Sequence, residues 1–156
     1  MQSQSSPRLR VLIADDSPII RDRLRSLLED EGYLDILGLA ANGSEVLDQL
    51  ALKGPDVILL DLLMPGLTGL ELLPSIRRQC RHCLIIVLTN HSTKEFSDRC
   101  YQAGADHFLD KSREFERVPV LIRSRYDHNR NRVQTALMPR NRSGNKIQPP
   151  GLGGIR

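Results

Sequence analysis

The chain predicts an α/β protein: an open, doubly wound sheet of five parallel strands with helices on both faces. Three observations carry that expectation. Short unbroken apolar runs, Val11-Leu12-Ile13-Ala14, Val57-Ile58-Leu59-Leu60 and Leu84-Ile85-Ile86-Val87-Leu88, read as strands buried on both faces. Segments with apolar residues at helical spacing alternate with them. Capping residues and glycines stand at the joins, so each strand feeds a helix and each helix returns to the sheet.

The first strand is read from Leu9 to Ala14. Ser17 is a good N-cap and Pro18 a good first helical residue, and Ile20, Leu24, Leu27 and Leu28 then recur on one face until Gly32. Leu34 to Ala40 reads as the second strand. Ser44 is expected to cap a second helix carrying Val46, Leu47 and Leu50, closed by Gly54-Pro55. The third strand leads to Asp61. Thr68 to Gln79 reads as a third helix, kinked or irregular because it contains Pro74. Leu84 to Leu88 is the fourth strand. Ser92-Thr93-Lys94-Glu95 has capping-box spacing and is expected to start a fourth helix ending at Gly104. A short fifth strand covers about Asp106 to Leu109, and Pro119 is expected to open a last helix with Val118, Leu121 and Ile122 inward.

After about Asn129 the pattern stops, and Pro139, Gly144, Pro149-Pro150, Gly151 and Gly153-Gly154 interrupt any periodicity. The expected organisation is an N-terminal arm over 1–7, one domain over 8–128 and a disordered basic tail over 129–156, with no folded output domain. Charge divides the same way. Residues 1–120 carry 14 Lys and Arg against 18 Asp and Glu, a net of −4; residues 121–156 carry 8 against one, a net of +7. The basic balance therefore belongs to the tail. No apolar stretch approaches a membrane span and Met1 to Ser6 is polar, so a cytoplasmic protein without a membrane partner is expected. Cys80-Arg81-His82-Cys83 has C-x-x-C spacing, but no second pair completes a zinc ribbon. The motif also lies between a helix and a strand, where a thioredoxin-type motif would open a helix. Cys80, Cys83 and Cys100 are expected to be reduced, structural thiols.

Chemistry gathers at the strand ends. The first run ends in Asp15-Asp16, the third in Asp61, the fourth in Thr89, and His107-Phe108-Leu109-Asp110 is followed by Lys111. Parallel strands put their carboxyl ends at one edge, where ligands bind in such sheets. Three carboxylates there repel one another, and a divalent cation would relieve the conflict; hard oxygen donors suit Mg²⁺. With Thr89 and Lys111 added, the inventory suits a metal-assisted phosphoryl group on Asp61. Asp15 and Asp16 also serve an ordinary purpose as acids before a helix start, Asp61 can be a turn residue, Thr89 a strand terminus and Lys111 a solvated lysine. Their occurrence together, in order, favours the phosphoacceptor reading.

On Asp15-Asp16, Asp61 with Met64-Pro65-Gly66 and Gly69, Thr89, Phe108 and Lys111, the chain from about Leu9 to about Arg125 resembles the receiver domains of two-component response regulators, in the stand-alone, chemotaxis-regulator-like form. The resemblance implies a flavodoxin-like strand order 2-1-3-4-5. It implies phosphoryl transfer to Asp61 from a sensor histidine kinase or phosphotransfer protein, and an unidentified downstream protein target. The metal ligands would be Asp15, Asp16, Asp61 and the Leu63 carbonyl. Thr89 and Lys111 would act with Asp61, and Thr89 and Phe108 would form the switch. Such a protein assists its own phosphotransfer and dephosphorylation without being an enzyme for a separate substrate. Departures from the pattern are Ser112, where many receivers have Pro, and Asn90, where a small residue is usual. Phe108 lacks the phenol that Tyr would supply. His91 reads equally as a phosphoryl neighbour or as an exposed loop residue. Two rival readings are weaker. Nucleic-acid binding through Arg123, Arg125, Arg130, Arg132, Arg140, Arg142 and Lys146 has no recognition motif beside it. A phosphatase with an Asp nucleophile usually needs a second acid where Leu63 stands.

Overall fold

A computed structural model describes residues 7–138. These form β1 (Leu9–Ala14), α1 (Pro18–Glu29), β2 (Leu34–Ala40), α2 (Gly43–Lys53), β3 (Val57–Asp61), α3 (Gly69–Gln79), β4 (Leu84–Thr89), α4 (Lys94–Ala103), β5 (His107–Asp110) and α5 (Arg117–Leu137). All strand pairs are parallel and the order is β2-β1-β3-β4-β5, as expected. The apolar runs are central: every residue of β3 and β4 is buried. Because side chains alternate across a strand, the sheet separates two cores. Leu12, Ile58, Leu60, Ile85 and Val87 pack with Val46, Leu72 and Ile76 of α2 and α3. Val11, Ile13, Leu59, Ile86 and Leu109 pack on the opposite face with Leu24 and Leu28 of α1 and Val118 and Ile122 of α5.

Several boundaries differ from expectation for local reasons. Asn42, not Ser44, caps α2: its side chain accepts from Glu45 N–H at 2.9 Å, while the Glu45 carboxylate accepts from Ala41 N–H at 2.7 Å. The two donors are satisfied reciprocally two residues earlier in the chain. Thr93 caps α4, because the Ser92 hydroxyl is taken by Asp110. Helix α1 ends at Glu29 with Asp30 as its cap, before Gly32. Pro74 lies within a single helix, α3, whose start is a capping box of Thr68 and Glu71.

The last helix departs most. It opens at Arg117 and runs to Leu137, nine residues past the boundary expected at 128. Apolar periodicity fades after about Asn129. Yet Arg130 to Leu137 contains neither Gly nor Pro, and extending an existing helix fixes one residue per hydrogen bond gained. The tail reading is thus corrected for 129–137. The tail from 139 onward, like residues 1–6 of the expected arm over 1–7, lies outside the described residues. The cysteine expectation is corrected as well. The end of α3 and the start of β4 bring Cys80 and Cys83 to a Cα separation of 5.5 Å, within disulfide range, and they are joined. Cys100 is free and buried, and burial pushes its thiol pKa up.

Candidate phosphoacceptor site

The carboxyl ends of β1 and β3 place Asp15 and Asp61 side by side, buried to 2% and 5% exposure; Asp16, next to Asp15, faces solvent. One carboxylate oxygen from each of the three lies within 4.8 Å of the others. Lys111, 8% exposed, enters from the loop after β5, and its Nζ lies 2.5 Å from Asp15 Oδ2 and 3.2 Å from Asp61 Oδ2. A buried ammonium bridging two carboxylates is compensated twice over, but three carboxylates against one ammonium leave the edge negative.

Backbone groups hold this arrangement. Ser17 N–H donates to Asp15 Oδ1 at 2.9 Å, and the Ser17 hydroxyl accepts from Ile20 N–H at 3.4 Å, so the cap of α1 also orients Asp15. The Arg21 guanidinium donates to the Asp15 carbonyl at 2.7 Å. Leu63 N–H donates to Asp61 Oδ1 at 3.2 Å. The Leu63 side chain is exposed beside the site. Two glycines let the loop after β3 turn. Gly66 has φ +83°, which L side chains rarely adopt. A Cβ on Gly69 would overlap the Asp61 carbonyl oxygen and come within 2.8 Å of Leu62 Cα. The Asp61 carboxyl pKa is raised. Burial is the largest cause, the Lys111 ammonium opposes it, and the Asp15 charge adds to it.

Thr89 is fully buried at the end of β4, the strand beside β3. Its Oγ1 accepts from His91 N–H at 3.1 Å, and its carbonyl accepts from Lys111 N–H at 3.0 Å. His91 and Asn90 are exposed. Phe108, paired in register with Val87, is half-buried against the core on the α2–α3 face. Sequence reasoning missed Asp110. Its Oδ1 accepts from Ser112 N–H at 2.8 Å, Ser112 Oγ at 2.6 Å and Arg113 N–H at 3.1 Å, and its other oxygen accepts from the Ser92 hydroxyl. Those bonds, Ser112 and Ser92 first, hold its pKa down at about 2. An Asp two residues before Ser is an Asx-turn signal that was present in the sequence. Where a proline would stiffen the loop, this turn does so.

A family model described as the response regulator receiver domain matches residues 11–123. The chain belongs to the receiver-domain family of response regulators. Among curated relatives, this receiver is 39% identical over 102 residues to a putative transcriptional regulator of Pseudomonas aeruginosa, covering 65% of this chain and 49% of that protein. It is 34% identical over 122 residues to the response regulator UvrY of Escherichia coli, covering 78% and 56%. The receiver thus spans about half the length of these relatives. Among solved structures, a CheY-like receiver domain protein from Methanospirillum hungatei superposes with a TM-score of 0.72 at 27% identity, covering 80% of this chain and 98% of that one. Chemotaxis protein CheY4 of Vibrio cholerae superposes at 0.67 and 30% identity, covering 75% and 98%. Among the described residues no helix is long and apolar enough to cross a membrane.

Proposed function

We propose that this receiver is a signalling switch that accepts a phosphoryl group on Asp61 from a phosphohistidine of a sensor kinase or phosphotransfer protein. The observation that carries the reading is the Lys111 ammonium set between Asp15 and Asp61 at a buried sheet edge. An Asp61 oxygen attacks phosphorus in line, the donor's N–P bond breaks, and the imidazole leaves with the electron pair. Lys111 is poised to transfer its pairing from Asp61 to the phosphoryl oxygens, and the Thr89 hydroxyl to donate to one of them. Both act without large reorganisation because packing and backbone bonds already fix them.

The donor set fits a divalent cation: hard carboxylate oxygens, close together and short of positive charge. Asp15, Asp16 and Asp61, with the Leu63 carbonyl, would hold Mg²⁺, which when bound supplies charge compensation for the transferring group. Thr89 and Phe108 are the switch residues of this reading, and the surface of α4, β5 and α5 is where a downstream protein would sense them. A transcriptional output, as the name of the P. aeruginosa relative suggests, would be carried by sequence beyond the matched region. Labelling with a radioactive phosphodonor in the presence of Mg²⁺ tests the proposal. Loss of the acid-stable label in Asp61→Asn, with label retained in Asp110→Asn, is expected; equal labelling of Asp61→Asn and the unaltered protein would refute it.

A further inference from the structure

A concavity of about 640 Å³ opens at the other edge of the sheet, where β4 and β5 begin and α5 crosses them. Its two carboxylates are already engaged. Asp106 accepts from Arg77 Nη2 at 2.9 Å and from Ile85 N–H at 2.8 Å. Asp56 accepts from Arg10 N–H at 2.8 Å. The Arg77 guanidinium is saturated by the carbonyls of Gly104, Arg81 and Cys83 as well. The cavity therefore keeps Arg81, Arg125 and Arg132, none of which pairs with a carboxylate among the described residues, together with the imidazoles of His82, His107 and His128. Arg125 is anchored by donating to the His82 carbonyl at 2.9 Å. Arg125, His128 and Arg132 stand three and four residues apart on α5 and so share a helix face.

Three guanidiniums around one concavity repel one another, as the three carboxylates do at the opposite edge, and a ligand of multiple negative charge offsets them. A monoanion would offset only one. The guanidinium fork matches phosphate oxygens, and the volume falls in the range of small-molecule sites. No Phe, Tyr or Trp ring lines the cavity. We propose that this cavity binds a small polyanion carrying two or more linked phosphate groups, at a site separate from Asp61.

Titration calorimetry on the full chain, with tripolyphosphate as probe, in about 0.15 M salt and without divalent cations, tests the site. One saturable event is expected. Arg81→Gln combined with Arg132→Gln should weaken it by about tenfold or more. Arg25→Gln combined with Arg99→Gln removes the same charge from α1 and α4 and should weaken it by less than about twofold. All four side chains are exposed. Amide shifts on titrating the unaltered protein give an independent readout and should centre on His107 and Arg125. Absence of saturation, equal weakening in both double variants, or shifts confined to the Asp61 edge would overturn the proposal. Saturation by duplex DNA without saturation by tripolyphosphate would overturn it in favour of a nucleic-acid face.

Discussion

Asp61 combines reactivity with a burden on the fold. Burial raises its carboxyl pKa from 3.8, so the native state takes up a proton more readily than the unfolded chain. Stability contributed here is greatest in acid and declines as pH rises from the unfolded value through the raised folded one. At neutral pH the ionised group is destabilising, and Lys111 keeps Asp15 as a partner if Asp61 is neutralised. Asp61→Asn is therefore expected to raise the melting temperature at pH 7 by a few degrees, about 1 kcal/mol, while losing phosphoryl acceptance. A lower melting temperature would show that the Lys111 pairing outweighs desolvation. Asp110 has the opposite sign. Its pKa is held at about 2, so its contribution is full above the unfolded carboxylate value and is lost as pH falls through about 2. Asp110→Ala should melt lower than the unaltered protein at neutral pH, with the difference vanishing towards about pH 2. It should also slow labelling of Asp61 by about tenfold, because the Lys111 loop loses its turn. Unchanged labelling kinetics would confine Asp110 to a structural role.

Helix α3 couples an element's stability to the site. Its capping box satisfies the Thr68 and Glu71 amides reciprocally, so Thr68→Ala should cost about 1 kcal/mol, read as a lower urea midpoint at unchanged slope. Gly69, the first residue of the helix, offers a sharper comparison. Alanine is the better helix former by about 1 kcal/mol, yet its Cβ would collide with the backbone of Asp61 and Leu62. Sterics should win, because the colliding residues, Asp61 and Leu62, are both buried. Gly69→Ala is expected to destabilise and to displace the phosphoacceptor; a stabilised variant would mean that the loop yields.

At the scale of the molecule, one sheet holds apart two largely aliphatic cores. Ile76 lies in one and Ile122 in the other, both fully buried. Each Ile→Val change should cost about 0.5–1.5 kcal/mol. With no shared partner, the two should add to within about 0.5 kcal/mol in a double variant. A larger coupling, measured by urea denaturation, would show that the cores communicate through the sheet.

The sequence by itself determined the alternation of strands and helices and the residues at the strand ends. Unbroken apolar runs have few ways to be buried, and parallel strands bring their carboxyl ends to one edge. Asp15, Asp61, Thr89 and Lys111 could thus be assigned to a common edge from position alone. What depended on distance through space was decided only by the tertiary structure. Lys111 reaches both Asp15 and Asp61 because the loop after β5 is held by Asp110, whose partners come from two separate loops. Cys80 and Cys83 join because a helix end and a strand start meet. Asn42 displaces Ser44 as a cap because Glu45 can reach back to Ala41. Helix α5 continues to Leu137 although its apolar stripe fades, since nothing in the chain interrupts it before Pro139. Periodicity reports burial, but a hydrogen bond, a disulfide or the propagation of a helix depends on local geometry that periodicity does not encode.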